Sequence, residues 1–170
     1  PDVAERNARL IELSKRLRDQ LGPDRTISAA VLPPVQIELI NQAYWPTFPW
    51  KDIAPYYEVW LPMTYWSVRN PDSGWKDGYR YVVESVRRLR VDLGQPDALV
   101  HPIGGIGNEI DESEVRDYLR ALTDSDAVGG SIYDYRTMSA GQWGVLRSYL
   151  PGALTAAPGP TTTVPDLPTS

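Results

Sequence analysis

Two kinds of hydrophobic pattern alternate along the chain. In one, apolar residues recur every three or four positions, which is typical of amphipathic helices; this pattern covers residues 3–21, 78–93, 115–122 and 143–150. In the other, apolar residues form short runs without polar alternation, which is typical of strands buried on both faces. These candidate strands cover residues 27–32, 59–65, 99–103 and 128–133.

Capping signals support the helical segments. Asp2 precedes the first helical pattern, and Gly22 follows it as a stop signal. Asp77 is placed to cap the second long helix, which Gly94 should end. Two further capping boxes, Asp111 with Glu114 and Ser139 with Gln142, predict the starts of the last two helices. The glycine-rich stretch 104–108, which precedes both boxes, is interpreted as a loop.

Helix and strand alternate four times, with strand starts about 29 to 40 residues apart, as in βα units of a parallel sheet. The predicted fold class is therefore α/β, with parallel βα repeats of four strands and about four to five helices. A complete (β/α)8 barrel takes about 250 residues, so residues 1–150 correspond to half of one. Residues 151–170 contain 5 Pro and 5 Thr with one charge, which predicts a flexible tail or linker.

Composition excludes several function classes. The 170 residues contain no Cys and one His, so neither a thiol nucleophile nor a multi-histidine metal site is expected. We expect no metal and no cofactor. The net charge of −5 gives no positive potential that would attract nucleic-acid phosphates. No stretch of the sequence is long and apolar enough to span a membrane. Nucleic acid and a membrane span are therefore not expected.

Aromatic residues are the marked bias that remains. There are 6 Trp and 10 Tyr but 1 Phe, and twelve of these 17 rings lie between residues 44 and 81. Rings with an apolar face and a hydrogen-bonding edge suit sugar recognition, although they also suit a partly wet protein interface.

Three segments resemble the last four strands of glycoside hydrolase-like TIM barrels. They are residues 28–34 (SAAVLPP), 57–66 (YEVWLPMTYW) and 127–135 (AVGGSIYDY). The resemblance extends over roughly residues 2–150 and is greatest to secreted bacterial glycoside hydrolase-like barrels, with chitinase-type barrels more distant. It implies that four strands of the barrel are supplied by a missing N-terminal half, in the same or a separate chain, and that the proton donor lies in that half.

The resemblance also implies which residues form a saccharide site, because active sites of such barrels lie at the carboxyl ends of the strands. Met63 and Tyr65 match the Met-x-Tyr motif of the chitinase-type enzymes, and Trp66 stands where those enzymes have an acid or amide. The best candidate catalytic residue is Asp134, for which capping of its own turn is an equally weighted alternative. The remaining predicted substrate contacts are Tyr133, Tyr135, Trp45, Trp50, Trp75 and Asn108.

Other polar residues receive structural interpretations. Glu109 and Asp111 are expected to cap a helix, and Glu58 lies at the wrong end of its strand for catalysis. His101 is interpreted as a barrel-interior residue that is hydrogen-bonded to a neighbouring strand.

Three functional hypotheses follow. The first is a carbohydrate-active barrel that hydrolyses glycosidic bonds in a polysaccharide or cell-wall glycan. The second is a non-catalytic module that binds saccharide through the same aromatic groove. The third is a four-strand α/β domain of unrelated function. The tail and the Trp and Tyr content favour an extracellular or cell-envelope location.

Overall fold

The computed structural model describes residues 2–149. The predicted tail at 151–170 lies outside the described residues. The helices are α1 (Val3–Leu21), α2 (Trp50–Ile53), α3 (Gly78–Leu93), α4 (Glu112–Asp124) and α5 (Ala140–Tyr149), with a π-helix at Val35–Ile40. The strands are β1 (Ser28–Val31), β2 (Val59–Pro62), β3 (Leu99–Val100), β4 (Ile103–Ile106) and β5 (Ser131–Tyr133).

The helix boundaries follow the predicted caps. The side chain of Asp2 accepts a hydrogen bond from the Glu5 backbone N–H at 2.8 Å, and that of Asp77 accepts one from the Arg80 N–H at 2.7 Å. Gly94 ends α3 in the left-handed region at φ 67°, where glycine meets no Cβ penalty. The two predicted capping boxes are present at the starts of α4 and α5: Asp111–Glu114 and Ser139–Gln142.

The strands lie side by side in chain order and are all parallel. β2 pairs with β1 and β3, and β4 pairs with β5. A bridge between Met63 and Ile103 joins these two small sheets, and the Val128 N–H donates to the Val100 carbonyl at 2.9 Å. The result is one layer with four strand positions, of which β3 and β4 together form the third. We call this the strand layer; parallel α/β architecture is confirmed.

The predicted strand at 99–103 is interrupted, and the predicted glycine loop at 104–108 is wrong for residues 104–106, since the chain leaves β4 only at Gly107. Pro102 has no backbone N–H to donate and separates β3 from β4. Gly104 and Gly105 lie within β4 rather than in a loop. Their backbone angles are not left-handed; the glycines are needed because a Cβ on either would lie 3.0 Å or less from a neighbouring side chain, including Trp66.

The two faces of the strand layer differ in burial. The helix-side face carries Trp60, Val100 and other residues buried against α3 and α4. The opposite face carries Ser28, Leu99 and Ser131, which are exposed among the described residues. The prediction of strands buried on both faces is therefore wrong for residues 2–149, because helices cover one face alone. We call the opposite face the uncovered face.

Candidate functional site

The predicted site residues that the structure brings together lie where the strands end. Tyr65 follows β2 and Tyr133 ends β5, and their ring centroids are 5.8 Å apart with planes tilted by 51°. Half of the Tyr133 side chain is exposed, at 54%. Burial, and to a smaller extent Tyr133, raises the pKa of the Tyr65 hydroxyl above its ordinary value, so this phenol is a neutral hydrogen-bonding group at neutral pH.

The strand between the two tyrosines is irregular at their level. Met63, Ile103 and Ser131 are level in the register of the three neighbouring strands. Beyond them β4 contains a bulge, so that Tyr133 pairs with Ile106 rather than with Gly105. A Cβ on Gly105 would lie 2.9 Å from Ile110 and 3.0 Å from Trp66, so this glycine is needed for packing on the helix side.

Asp134 directly follows Tyr133 and is committed in part to its own turn. Its Oδ1 accepts hydrogen bonds from the backbone N–H groups of Arg136 and Thr137 at 3.1 and 3.2 Å. This is the turn-capping role that the sequence left open as an alternative. The Oδ2 oxygen accepts no hydrogen bond from residues 2–149, so one carboxylate oxygen is free for a ligand.

His101 and Ser131 form a polar pair on the same face. Nε2 of His101 lies 2.7 Å from the Ser131 hydroxyl. The histidine is therefore hydrogen-bonded to the neighbouring strand, as the sequence analysis predicted. Burial lowers the pKa of the imidazole below its ordinary value, which favours the neutral form. The sequence analysis did not single out Ser131. Its position two residues before Tyr133 places both side chains on one face of β5, and this spacing could have indicated it.

The prediction that Trp66 stacks on a ligand is wrong, because its ring is fully buried. The indole packs against Tyr118 at a centroid distance of 5.4 Å, and its N–H donates to Glu114 at 3.0 Å. Trp50 is also a core residue, 6% exposed, with its ring against Phe48.

Trp45 and Trp75 are partly exposed but lie in separate clusters. The Trp45 indole N–H donates to Asn7 on α1 at 2.7 Å, and Arg6 lies over its ring. The Trp75 ring is covered by Arg80 at 4.5 Å. Each tryptophan therefore already has a cation over its ring, and neither is joined to the tyrosine pair by a contact among the described residues.

The other predicted contacts lie near the tyrosine pair. Met63 precedes Tyr65 on the uncovered face, and Tyr135 is 67% exposed just after Asp134. Asn108 is exposed in the short 3₁₀ turn Gly107–Glu109 that follows β4. The loops after β2, β4 and β5 therefore reach one edge of the strand layer, which is where ligands of parallel sheets bind.

The other acidic residues that the sequence analysis weighed are Asp111, Glu109 and Glu58. Asp111 caps α4, whereas Glu109 is exposed in the preceding turn and caps no helix. Glu58 lies at the opposite end of β2, where its carboxylate pairs with Arg18 at 2.5 Å and accepts the Ile27 N–H at 2.7 Å. These bonds, with that of Ile27 the stronger cause, lower the pKa of Glu58. Among residues 2–149, no hydrogen bond joins the carboxylate of Asp134 to a second acidic side chain.

Two further findings concern the described part of the chain. It contains no group of three or more His, Asp or Glu side chains arranged to hold a metal ion. None of its helices combines the length and apolar character that a membrane crossing requires.

Comparisons with models of known protein families, with curated proteins and with solved structures give no match to this chain. The function must therefore be argued from the geometry. The tyrosine pair offers ring faces and hydroxyls, and Asp134 offers one free oxygen. Such groups recognise a ligand that is apolar on one side and rich in hydroxyls at its edges.

Proposed function

We propose that the chain forms half of a carbohydrate-active (β/α)8 barrel, with its saccharide site at the tyrosine pair and Asp134. The observation that carries this proposal is the contact of Tyr65 and Tyr133 at the carboxyl edge of a parallel strand layer. Sugar rings present C–H groups to aromatic faces and hydroxyls to polar edges, so a tyrosine site with a free carboxylate oxygen matches both.

Half of a barrel is supported by the shape of the strand layer. Four parallel strand positions follow chain order, with helices on one face and an open opposite face. In a closed barrel the open face becomes the interior, which is packed with side chains. The partner in this proposal is a complementary set of strands, and the ligand is a saccharide from a polysaccharide or cell-wall glycan in an extracellular or envelope setting.

Hydrolysis of a glycosidic bond needs two carboxyl groups on either side of the bond, about 5 to 10 Å apart. Asp134 supplies one, and the complementary strands would supply the other. In this mechanism Asp134 acts through its free Oδ2 as nucleophile, general base or electrostatic stabiliser, while the residue in the complement protonates the leaving oxygen.

The second candidate is a barrel that binds saccharide without cleaving it. It is favoured by one observation, the commitment of Asp134 Oδ1 to the N–H groups of its own turn. In this case the carboxylate shapes the loop that presents Tyr133 and Tyr135, and the tyrosines alone contact the sugar.

Titration of the chain with soluble oligosaccharides, followed by two-dimensional NMR or calorimetry, tests the site. Hexamers of glucose, xylose and N-acetylglucosamine are suitable probes. We expect Tyr133→Ala to lower affinity about tenfold, since stacking contributes about 1 kcal/mol or more. Tyr44→Ala is the matched control, because Tyr44 is exposed to 53% but lies in another loop. Equal affinities of the two variants, or no binding by the unmodified chain, would refute this site.

Asp134→Asn separates the two candidates. An asparagine oxygen still accepts the two turn N–H groups, so the loop is kept while the charge is removed. In the barrel completed by its partner, the hydrolytic mechanism predicts loss of turnover by at least a hundredfold with affinity largely retained. The binding module predicts no turnover before or after the substitution.

A further inference from the structure

The segment 129–131 (GGS) is part of the motif at 127–135, and the saccharide site does not use it. It places Ser131 on the uncovered face, where the serine hydroxyl lies 2.7 Å from Nε2 of His101. Ser131 is exposed among the described residues, so a small molecule can reach it from that face. A serine hydroxyl that is hydrogen-bonded to an imidazole nitrogen is the arrangement in which serine acts as a nucleophile.

The two glycines of this segment make room for the groups that surround the serine. A Cβ on Gly129 would lie 3.0 Å from Nδ1 of His101, so a side chain there would press on the imidazole. A Cβ on Gly130 would overlap the hydroxyl oxygen of Tyr118, which packs from the helix side. The two glycines therefore allow a histidine to approach from one face and a tyrosine from the other, immediately before the serine.

Tyr118 and the strand hydrogen bonds fix the backbone beneath the serine and the histidine. The buried Tyr118 hydroxyl donates to the carbonyl of Pro102 at 2.7 Å and to that of Ser131 at 3.0 Å. The Ser131 N–H donates to the Pro102 carbonyl at 3.1 Å, and the His101 N–H donates to the Trp60 carbonyl at 2.8 Å. Both reacting groups are therefore held by the strand layer rather than by a loop, which favours precise placement.

The imidazole is in the state that a general base requires. Burial lowers the pKa of His101 below its ordinary value, so the ring is neutral at neutral pH and one of its nitrogens can accept a proton. Among the described residues, no carboxylate is hydrogen-bonded to this imidazole. The two residues therefore form a dyad without the acid of a catalytic triad, and we expect slow acylation rather than fast turnover.

We infer that Ser131 and His101 form a nucleophilic dyad that reacts with acyl esters, an activity separate from the proposed saccharide hydrolysis. Oγ of Ser131 attacks the ester carbonyl carbon while its proton passes to Nε2 of His101; the bond from that carbon to the alcohol oxygen breaks, and the alcohol leaves with the proton. Water then attacks the acyl-serine and gives a proton to Nε2, which returns it to Oγ as the carboxylic acid leaves. Tyr133, about 7 Å further along β5 on the same face, offers its half-exposed ring to an apolar part of the ester.

A fluorophosphonate probe tests the dyad on the full chain. The probe reacts with activated serines by forming a bond from Oγ to phosphorus and releasing fluoride, and mass spectrometry of the digested chain locates the label. We expect the label at Ser131 and its loss in Ser131→Ala. His101→Gln, which removes the base, should slow labelling by about tenfold or more. Ser28→Ala is the matched control, because Ser28 is an exposed serine of β1 on the same face that has no histidine partner; its labelling should be unchanged.

Two results would overturn the inference. One is an unmodified chain that takes up no more label than Ser131→Ala does. The other is an equal labelling rate in the unmodified chain and in His101→Gln with unchanged circular dichroism. If His101→Gln unfolds, the unmodified chain decides: a labelling rate that levels off with the NMR titration of His101 supports the dyad, and a rate that keeps rising with hydroxide concentration overturns it. Because the probe contains no sugar, these results are independent of saccharide titration.

Discussion

The helix-covered face and the uncovered face of the strand layer are built from alternating residues of the same strands, yet they differ in burial and in the kinds of side chain they carry. The covered face holds Trp60 and Trp66 at zero exposure. The uncovered face holds Ser131 and His101, bonded to each other, and the exposed ring of Tyr133. The difference teaches that large aromatic rings in this chain are buried where helices lie over them, whereas on the opposite face the ring of Tyr133 remains exposed.

The largest effect should come from removing a ring on the covered face. We expect Trp66→Ala to lower the free energy of unfolding by about 3–5 kcal/mol, because it leaves a cavity and an unpaired Glu114 carboxylate oxygen beside it. Urea unfolding followed by circular dichroism measures this. Tyr133→Ala on the uncovered face should change stability by less than about 0.5 kcal/mol. Similar losses of unfolding free energy in Trp66→Ala and Tyr133→Ala would contradict this difference between the two faces.

A smaller loss is expected from adding one methyl group beneath Trp66. In Gly105→Ala the new Cβ would lie 2.9 Å from Ile110 and 3.0 Å from Trp66, so we expect about 1–3 kcal/mol of destabilisation. The matched control is Gly144→Ala, where nothing lies within 4 Å of the new Cβ and a helical alanine should stabilise by about 0.5–1 kcal/mol. Thermal unfolding of both variants would show opposite shifts; a gain for Gly105→Ala would contradict the tight packing.

The covered side also contains a carboxyl group that links stability to pH. Burial, followed by the neighbouring Glu38, raises the pKa of Asp92 to about 7, against the opposing effect of Arg88 and Arg87. The folded state therefore binds this proton more tightly than the unfolded state does. The stability it contributes is complete below about pH 4 and is lost as the pH rises through 7.

Substitution of this carboxyl group should remove that dependence. Because solvent reaches part of Asp92, we expect Asp92→Asn to be more stable than the unmodified chain by about 1 kcal/mol at pH 8, and equally stable near pH 4. Urea midpoints across that range provide the measurement, with Asp97→Asn as an exposed control. If the stability difference between Asp92→Asn and the unmodified chain were the same at every pH, it would not arise from titration of Asp92.

The smallest effect should come from the polar pair on the uncovered face. The hydrogen bond between His101 and Ser131 is exposed in residues 2–149, so we expect Ser131→Ala to cost about 0.5 kcal/mol or less. A clearer readout of the Ser131→Ala substitution is the titration of His101 followed by NMR, since loss of the Ser131 hydroxyl removes the hydrogen-bond partner of the imidazole. An unchanged histidine titration curve would show that the pair does not form in solution.

Local sequence signals predicted the helices well because their determinants are local. Asp77 and Gly94 bound α3 where expected, and the Asp111–Glu114 box starts α4. Strand positions were also predictable from apolar runs. Their lengths were not, because pairing depends on neighbours. Pro102 divides one predicted strand, and the ladder continues through Gly104 and Ile106, with a bulge at Gly105, where a loop was expected.

The site was only partly predictable, since sequence does not show which face a ring occupies after the last strand residue. Tyr65 and Trp66 are adjacent, yet Tyr65 faces Tyr133 while Trp66 is buried against Tyr118. That outcome depends on the space above Gly104 and Gly105, which belong to another strand. The turn-capping bonds of Asp134 were recognisable as an alternative, and the structure shows them.

Pairing strictly in chain order has a consequence for how the chain folds. Each strand needs only the segment before or after it, so no strand pairing has to wait for the two ends of the chain to meet. The loop that a strand pairing closes never spans more than about 40 residues. Folding can therefore begin at β2, which has partners on both sides, and spread outward. Local opening should proceed in the opposite order, so that β1 and β5 open first and β2 last.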